Sequence, residues 1–427
     1  MQSDGEMAAE LSLSPRLAAL RREWAAGDPG ALGAFWAEVE TTGAPLVEPV
    51  GGDDTHVLVT FLWRAAEPMQ AVAVLSSFGG WDAAAPATHL TRLGATDVWY
   101  RTFRARADHR ASYTFSLNDP PAPTLAPTSW SEHLARRRPD PRNPRHFTVP
   151  PDDEAPAGDF RGYGETLSVV ELPQAPPGAW ITPRPDVPHG LVRLHRLDSA
   201  HLGSVRRVWV YTPPGYADDC DPPCGLLLLF DGFEYLHYVC PPTILDNLLA
   251  AGRIPLLVAV MFDSPSAVRA ELGCAPHFAE FLVGELLPWL RQHYHVTDDP
   301  RQTIVAGASL GGVAAAYAGL RHPETFGNVL AQSGAFWWPV GDDPEPEWLA
   351  RQFAAQPVRP LRFHLSVGLR EIRATANDGP NLLAANRHLR TVLWAKGYSV
   401  DYVEYMGGHD WLCWRAMLPD GIMALCG

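Results

Sequence analysis

Cysteine is scarce in this sequence of 427 residues, with six in all and no CxxC pair among them. Zinc sites and disulfide frameworks need cysteines at close, recurring spacings, so the scattered positions predict free, buried thiols. The cysteines are Cys220, Cys224, Cys240, Cys274, Cys413 and Cys426.

Long apolar runs are also lacking. The longest, residues 254–262, has nine residues, about half of the roughly 18 that a membrane span needs. The first residues lack a basic stretch followed by an apolar one, so no secretory or transit signal is expected. The sequence therefore predicts no segment that crosses a membrane.

Positive charge is in deficit, because 34 Lys and Arg against 48 Asp and Glu give a formal net charge of −14. A surface of that sign repels phosphate backbones and anionic lipid, so neither nucleic acid nor a membrane is expected as a partner. Hydrophobic residues nevertheless make up 46% of the chain. At roughly 150 residues per domain, the length suggests two or three globular domains.

Residues 1–150 have the pattern of a small accessory domain. Apolar positions at helical spacing over residues 8–42 predict two short helices. β-Branched and aromatic runs then follow with turns but no helix between them, which predicts an antiparallel β-sandwich of immunoglobulin type. These runs are residues 57–63, 69–75, 98–103 and 111–117.

Two Pro-rich stretches, 120–145 and 173–188, indicate connecting chain, because proline removes a backbone donor from a sheet. We assign residues 151–188 to a connector and 189–427 to a second domain. There, short and nearly all-apolar runs alternate with helical patterns, which predicts a mainly parallel sheet covered by helices on both faces. The runs are residues 206–213, 225–231, 255–262, 302–307, 328–334 and 361–368.

One motif in the second domain carries chemistry. Residues 303–312 read as a buried strand, then G-x-S-x-G around Ser309, then a helix start made of small residues. Small flanking residues let the strand and the helix approach closely, so that the serine lies on a strained, exposed turn. This is the nucleophile elbow of an α/β hydrolase, and it predicts Ser309 as the nucleophile.

A serine hydroxyl needs an adjacent base, and in this fold the base follows an acid in chain order. Of the sixteen histidines, His409 has the right setting, after a strand at 399–406 and a Gly-Gly bend. The acid should come from the loop after residues 361–368, where Glu371 and Asp378 both qualify. We prefer Glu371, which stands closer to the strand end, and interpret Asp378 as a turn residue.

The tetrahedral intermediate of ester hydrolysis needs two N–H donors. One should be the backbone of Leu310, directly after the nucleophile. The other should be that of Phe233, which follows a strand and a sharp Asp231-Gly232 turn. Asp410 adjoins the proposed base and is expected to brace its loop.

With these residues identified, the chain resembles the enterochelin (enterobactin) esterases, siderophore hydrolases of the esterase D branch of α/β hydrolases. In the second domain the resemblance is carried by VAGASLGGVAAAYAGLRHPETFG (305–327), LAQSGAFWWP (330–339), VGLREI (367–372) and GGHDWLCWR (407–415). In the first half it is carried by VTFLWR (59–64), DPRNPR (140–145) and SVVELPQAPPGAW (168–180).

The resemblance implies hydrolysis of the ester bonds in a cyclic trilactone of catecholoyl-serine units, in the cytoplasm, after import of the ferric complex. Iron would enter as part of the bound siderophore, so no cofactor and no protein metal site are expected. A ferric tris-catecholate is a polyanion, and an acidic protein needs a locally basic cleft to bind it. Candidates beside the catalytic loops are Arg269, Arg370, Arg373 and Arg415, with Trp337 and Trp338 as flat walls for catechol rings.

Three alternatives stay open at this point. A feruloyl or acetyl esterase acting on carbohydrate would use the same triad, although the absence of a visible signal argues against it. The same acyl-enzyme could instead form lactones in siderophore or peptide assembly, if water were excluded from the cleft. A catalytically dead binding scaffold is disfavoured, because Ser309, His409 and an acid are all present.

Overall fold

The computed structural model describes residues 14–83, 85–118, 130–157, 159–217, 219, 221–341, 343, 345–373 and 379–427. Contacts divide the chain into two compact units, which meet in sequence between Pro176 and Pro177. In the described residues, no helix combines the length and the apolar character that a membrane span requires.

The first unit begins with the two predicted helices, α1 (Pro15–Ala25) and α2 (Ala31–Thr42). Ser14 caps α1, because its hydroxyl accepts a hydrogen bond from the backbone N–H of Leu17 at 3.2 Å. The elements that follow are β1 (Leu46–Val50), β2 (Asp53–Arg64), β3 (Val72–Ser76), β4 (Thr91–Arg92), β5 (Val98–Arg106), β6 (Arg110–Leu117), α3 (Trp130–Arg136), β7 (Arg137–Arg138), β8 (His146–Val149) and β9 (Glu165–Glu171).

These strands form two antiparallel sheets, in the orders β1-β2-β5-β4 and β3-β6-β9-β8, with β7 paired to β6. Alternate side chains of β2, such as Val59 and Phe61, pack against alternate side chains of β6, such as Tyr113 and Phe115. The predicted β-sandwich is confirmed.

The boundary of the first unit differs from the expected one. Strand β9 lies within residues 151–188, for which the prolines predicted a connector, yet it pairs with both β6 and β8. Its sequence ETLSVVE contains no proline, and the prolines of this region flank the strand. The prolines of this region therefore lie on either side of a strand, and their number did not indicate that the whole stretch lacks strands.

The second unit contains a sheet of eight strands, in the order β10-β11-β13-β12-β14-β15-β16-β17. The pairs from β13 to β17 are parallel, and β10 and β11 join antiparallel at one edge. The strands are β10 (Leu191–Ser199), β11 (Ser204–Thr212), β12 (Gly225–Leu229), β13 (Leu257–Phe262), β14 (Thr303–Ala308), β15 (Asn328–Gln332), β16 (Arg362–Gly368) and β17 (Ser399–Tyr405).

Helices cover both faces of this sheet. On β16, Phe363 and Leu365 join the core that contains α10, whereas the intervening His364 faces Gly421 of α11. The predicted α/β-hydrolase architecture is thus confirmed. The helices are α4 (Gly232–Glu234), α5 (Pro241–Ala250), α6 (Pro276–Phe281), α7 (Leu287–His293), α8 (Leu310–Arg321), α9 (Trp348–Ala355), α10 (Leu382–Lys396) and α11 (Trp411–Cys426).

Residues 277–294 have apolar residues at helical spacing, but they do not form one continuous α-helix. A π-helical turn over Leu282–Leu286 separates α6 from α7, and Pro288 lies at the start of α7. Proline lacks the N–H that an α-helix would use at this point and clashes with the carbonyl four residues earlier, so the chain widens before it.

Candidate active site

Ser309 occupies the sharp turn between β14 and α8. Its backbone has φ +55° and ψ −120°, a region that side-chain-bearing residues rarely adopt. Glycine is needed at position 307, because a Cβ there would lie 2.4 Å from the backbone of Gly311. The close approach of strand and helix therefore holds Ser309 in the strained conformation of a nucleophile elbow.

His409 and Glu371 form a hydrogen-bonded pair at the carboxyl end of the sheet. His409 Nδ1 lies 2.7 Å from Glu371 Oε2. The Glu371 side chain is fully buried, whereas the His409 side chain is 37% exposed. The two residues follow the neighbouring parallel strands β16 and β17, so their loops leave the sheet side by side. Asp378 lies outside the described residues.

The second carboxylate oxygen of Glu371 accepts two further hydrogen bonds. The backbone N–H of Gly368 donates to Oε1 at 2.8 Å, and the Ser333 hydroxyl donates to it at 2.5 Å. The Ser333 hydroxyl in turn accepts a hydrogen bond from the indole N–H of Trp414 at 2.9 Å. The ring of Trp414 also contacts His409 edge to face, with 4.7 Å between the ring centroids.

Strand β15 links the serine turn to the helix that carries Trp414. The backbone N–H of Ser309 donates to the carbonyl of Gln332 at 3.0 Å. The side-chain amide of Gln332 donates to the carbonyl of Trp414 at 2.8 Å. Asp410 caps the same helix, because its carboxylate accepts the N–H of Leu412 at 2.9 Å, which agrees with the expected bracing role.

The two expected oxyanion donors each lie at the start of a helix. Leu310 is the first residue of α8, and Phe233 is the second residue of α4. Gly232 is required before Phe233, because a Cβ there would lie 2.7 Å from the backbone of Met261 and Phe262. The guanidinium of Arg207 lies 5.8 Å from the centre of the Phe233 ring.

Arg269 lies close to the serine turn, but its charge is already paired. Its Nη2 is 3.1 Å from Oδ2 of Asp231, a fully buried carboxylate. The same Oδ2 atom lies 3.3 Å from the position that a Cβ on Gly311 would take. Arg269 therefore offsets a buried negative charge beside the elbow.

The other expected binding residues lie on loops around the same edge. Arg370 is exposed, and its backbone N–H donates to Gly407 at 2.9 Å, which ties the Glu371 loop to the His409 loop. Trp337 and Trp338 are half-buried, with 5.4 Å between their ring centroids. The Trp338 indole packs against Gly273, next to the segment that carries Arg269.

Two further arginines named from the sequence differ in setting. Arg373 is exposed on the loop after β16. Arg415 donates from Nη2 to the carbonyl of Ile181 at 2.7 Å, so it braces the chain that enters the second unit. Among the described residues, no group of three or more His, Cys, Asp or Glu side chains could hold a metal ion.

Comparison with protein families gives two matches that together cover most of the chain. The model described as "Enterochelin esterase, N-terminal" matches residues 58–181, and the model named Esterase matches residues 199–425. The chain belongs to the enterochelin esterase family. It is an esterase.

Relatives of this esterase include the iron(III) enterobactin esterase of Dickeya dadantii, which is 32% identical over 91% of each chain. The iron(III) salmochelin esterase of Escherichia coli O6:H1 is 30% identical and covers 96% of this chain and 98% of its own.

Solved structures agree with these relatives. The ferric enterobactin esterase of Salmonella typhimurium superimposes with a TM-score of 0.74 at 30% identity, covering 92% of this chain and 98% of its own. The Shigella flexneri enterobactin esterase, solved in the presence of enterobactin, gives a TM-score of 0.73 at 29% identity, covering 92% of this chain and 97% of its own. The whole two-unit chain therefore follows the family.

Proposed function

We propose that this esterase hydrolyses the ester bonds of a catecholate siderophore trilactone, such as ferric enterobactin, through an acyl-enzyme on Ser309. The observation that carries the catalytic part is the strained turn at Ser309 together with the 2.7 Å pair of His409 and Glu371. Relatives that cover about nine tenths of the chain bear the names of enterobactin and salmochelin esterases, which supports the substrate class over a carbohydrate-linked ester.

The proposed mechanism follows from the orientation of the imidazole. With Nδ1–H held by Glu371, His409 presents Nε2 as the base that removes the proton of Ser309. The serine oxygen attacks the ester carbonyl, and the N–H groups of Leu310 and Phe233 stabilise the oxyanion. His409 then protonates the departing seryl oxygen of the substrate. In the second half-reaction His409 takes a proton from water, which attacks the acyl-enzyme carbonyl, and returns it to the departing Ser309 oxygen.

The siderophore brings its own iron, so the reaction needs no protein-bound metal. The proposal includes the cytoplasmic setting that the resemblance implies. It also assigns Arg370 to attraction of the polyanion, and Trp337 and Trp338 to contact with catechol rings. Arg269, whose charge is paired with Asp231, would contribute hydrogen bonds to the substrate and not net positive charge. A local positive potential is needed, because the chain as a whole carries a formal net charge of −14.

The direct test is to incubate the purified protein with ferric and with iron-free enterobactin and to identify the products by mass. We expect linear trimer, dimer and monomer of the catecholoyl-serine unit. Recovery of intact trilactone from both incubations, with a small aryl ester hydrolysed in parallel, would contradict the substrate and leave the esterase chemistry standing.

Arg370→Gln should raise KM for the ferric complex roughly two- to fivefold, the effect expected of one partly exposed charge. KM for a small neutral aryl ester should hardly change, because that substrate lacks the negative charge. Added salt should weaken only the binding of the polyanion. Steady-state kinetics on both substrates at low and high ionic strength check this.

Arg301→Gln is the matched control, since Arg301 is highly exposed and precedes β14, at the opposite end of the strand from Ser309. Arg269 is best neutralised together with Asp231, as Arg269→Gln with Asp231→Asn, so that no buried carboxylate loses its partner. Equal responses of both substrates to mutation and to salt would instead assign these arginines to loop bracing.

A further inference from the structure

We propose that Ser333 is a positioning residue of the active site, whose hydroxyl passes the hydrogen bond of the Trp414 indole on to Glu371 and so fixes the carboxylate that holds His409. This inference rests on the proposed roles of Ser309, His409 and Glu371. Ser333 itself lies one residue beyond β15 and is fully buried.

The backbone of Ser333 is the first argument. Its φ of +49° lies in the left-handed region, which glycine adopts without cost and other residues adopt under strain. Its N–H donates to the carbonyl of Ser366 on the neighbouring strand at 2.6 Å, which keeps the backbone in place. A residue other than glycine at this φ is strained, which indicates that its side chain has a role, and the hydrogen bonds of the Ser333 hydroxyl account for one.

The donors and acceptors allow one direction of hydrogen bonding. An indole N–H can only donate, so the Ser333 oxygen accepts from Trp414 at 2.9 Å. The serine O–H is then available to donate a hydrogen bond to the Glu371 carboxylate, with 2.5 Å between the two oxygens. Hydrogen bonds that run in one direction through a buried network polarise one another.

Tyr405 adds to the same network. Its hydroxyl lies 3.3 Å from the Ser333 oxygen. Burial, with a further contribution from the nearby Glu371 carboxylate, holds the pKa of Tyr405 well above its usual range. The phenol therefore keeps its proton and stays a neutral neighbour of the Glu371 charge.

Trp414 consequently acts on both members of the pair. Its ring contacts the His409 ring directly, and its N–H reaches Glu371 through Ser333. Without the serine hydroxyl, Oε1 of Glu371 would keep only the hydrogen bond from the Gly368 N–H. The carboxylate could then rotate, and Oε2 could turn away from His409. Loss of a hydrogen bond to a charged group in this position should lower kcat roughly 10- to 100-fold.

Ser333→Ala is the main test, because it deletes the hydroxyl and keeps the backbone constraint unchanged. On a small neutral aryl ester we expect kcat to fall roughly 10- to 100-fold with KM within about twofold, since the hydroxyl acts on the base and not on substrate binding. Ser366→Ala is the control. It removes another fully buried serine hydroxyl, one with no hydrogen-bond partner among the described residues, and should leave kcat unchanged.

A double-mutant cycle with Trp414→Phe separates positioning from packing. If the indole N–H acts through Ser333, Trp414→Phe should lower kcat in the wild-type background and have a much smaller effect in Ser333→Ala. The inference would be overturned if the fold-losses in kcat of the two single variants multiplied in the double variant. It would also be overturned if Ser333→Ala had the same kcat as Ser366→Ala. Should Ser333→Ala fold poorly, Ser333→Gly deletes the same hydroxyl and relieves the strain at positive φ.

Labelling with a fluorophosphonate distinguishes this inference from the proposed function. Wild type should be labelled once, at Ser309, and Ser333→Ala should be labelled to the same stoichiometry but more slowly. Absence of labelling at Ser309 in wild type would contradict the nucleophile itself. Labelling of Ser333→Ala at the wild-type rate would contradict only the role of Ser333.

Discussion

Ser309→Ala should abolish turnover of the siderophore and of simple esters, with a loss of roughly 10⁴-fold or more in kcat. The hydroxyl oxygen is the atom that would form the acyl-enzyme. Ser309 is only partly buried at the turn, so its truncation opens no cavity in the core. Product analysis by mass and the release of aryl alcohol measure the loss.

The same variant should retain its fold and its affinity for the ferric complex. Thermal unfolding and quenching of tryptophan fluorescence on siderophore binding serve as controls. A variant that still turns over at more than a small fraction of the wild-type rate would show that another group performs the attack.

Glu371→Gln should lower kcat by roughly 10²- to 10⁴-fold, the range found when a carboxylate that orients a catalytic histidine is lost. An amide can donate an N–H to His409 Nδ1, whereas the carboxylate accepted a hydrogen bond from Nδ1–H, so the substitution favours the wrong tautomer of the imidazole. Asp378→Asn should change kcat little, because we interpret Asp378 as a turn residue. Parallel kinetics of the two variants decide between them, and a damaged Asp378→Asn enzyme with an active Glu371→Gln enzyme would reverse the assignment.

Much of the fold could be predicted because its signals are local. The strand predicted over residues 361–368 matches the observed β16 to within one residue, because Phe363, Leu365 and Val367 recur at every second position. Strand β9 was missed, because its short polar and apolar mixture lies among prolines and its pairing partner β6 begins 55 residues earlier. Pairing between strands so far apart in sequence cannot be predicted from the composition of either segment alone.

In the candidate site, too, residues with a local sequence signal could be predicted, and residues that depend on distant partners could not. Ser309 and His409 were recognisable because glycines at fixed spacing mark the turns that carry them. Ser333 was not, since its partners Glu371 and Trp414 lie 38 and 81 residues away in sequence. The pairing of Arg269 with Asp231 could not be predicted for the same reason, since the two residues lie 38 apart in sequence.

The register of the last two strands has a consequence for how activity is acquired. Strands β16 and β17 pair Gly368 with Tyr405, and the loops that follow bring Glu371 to His409. A slip of one residue would displace the β17 backbone by about 3.3 Å and turn its side chains to the other face, which a hydrogen bond of ordinary length cannot survive. Hydrolysis during refolding should therefore begin later than compaction of the central strands. Its onset would report the moment at which the edge strand docks in its native alignment.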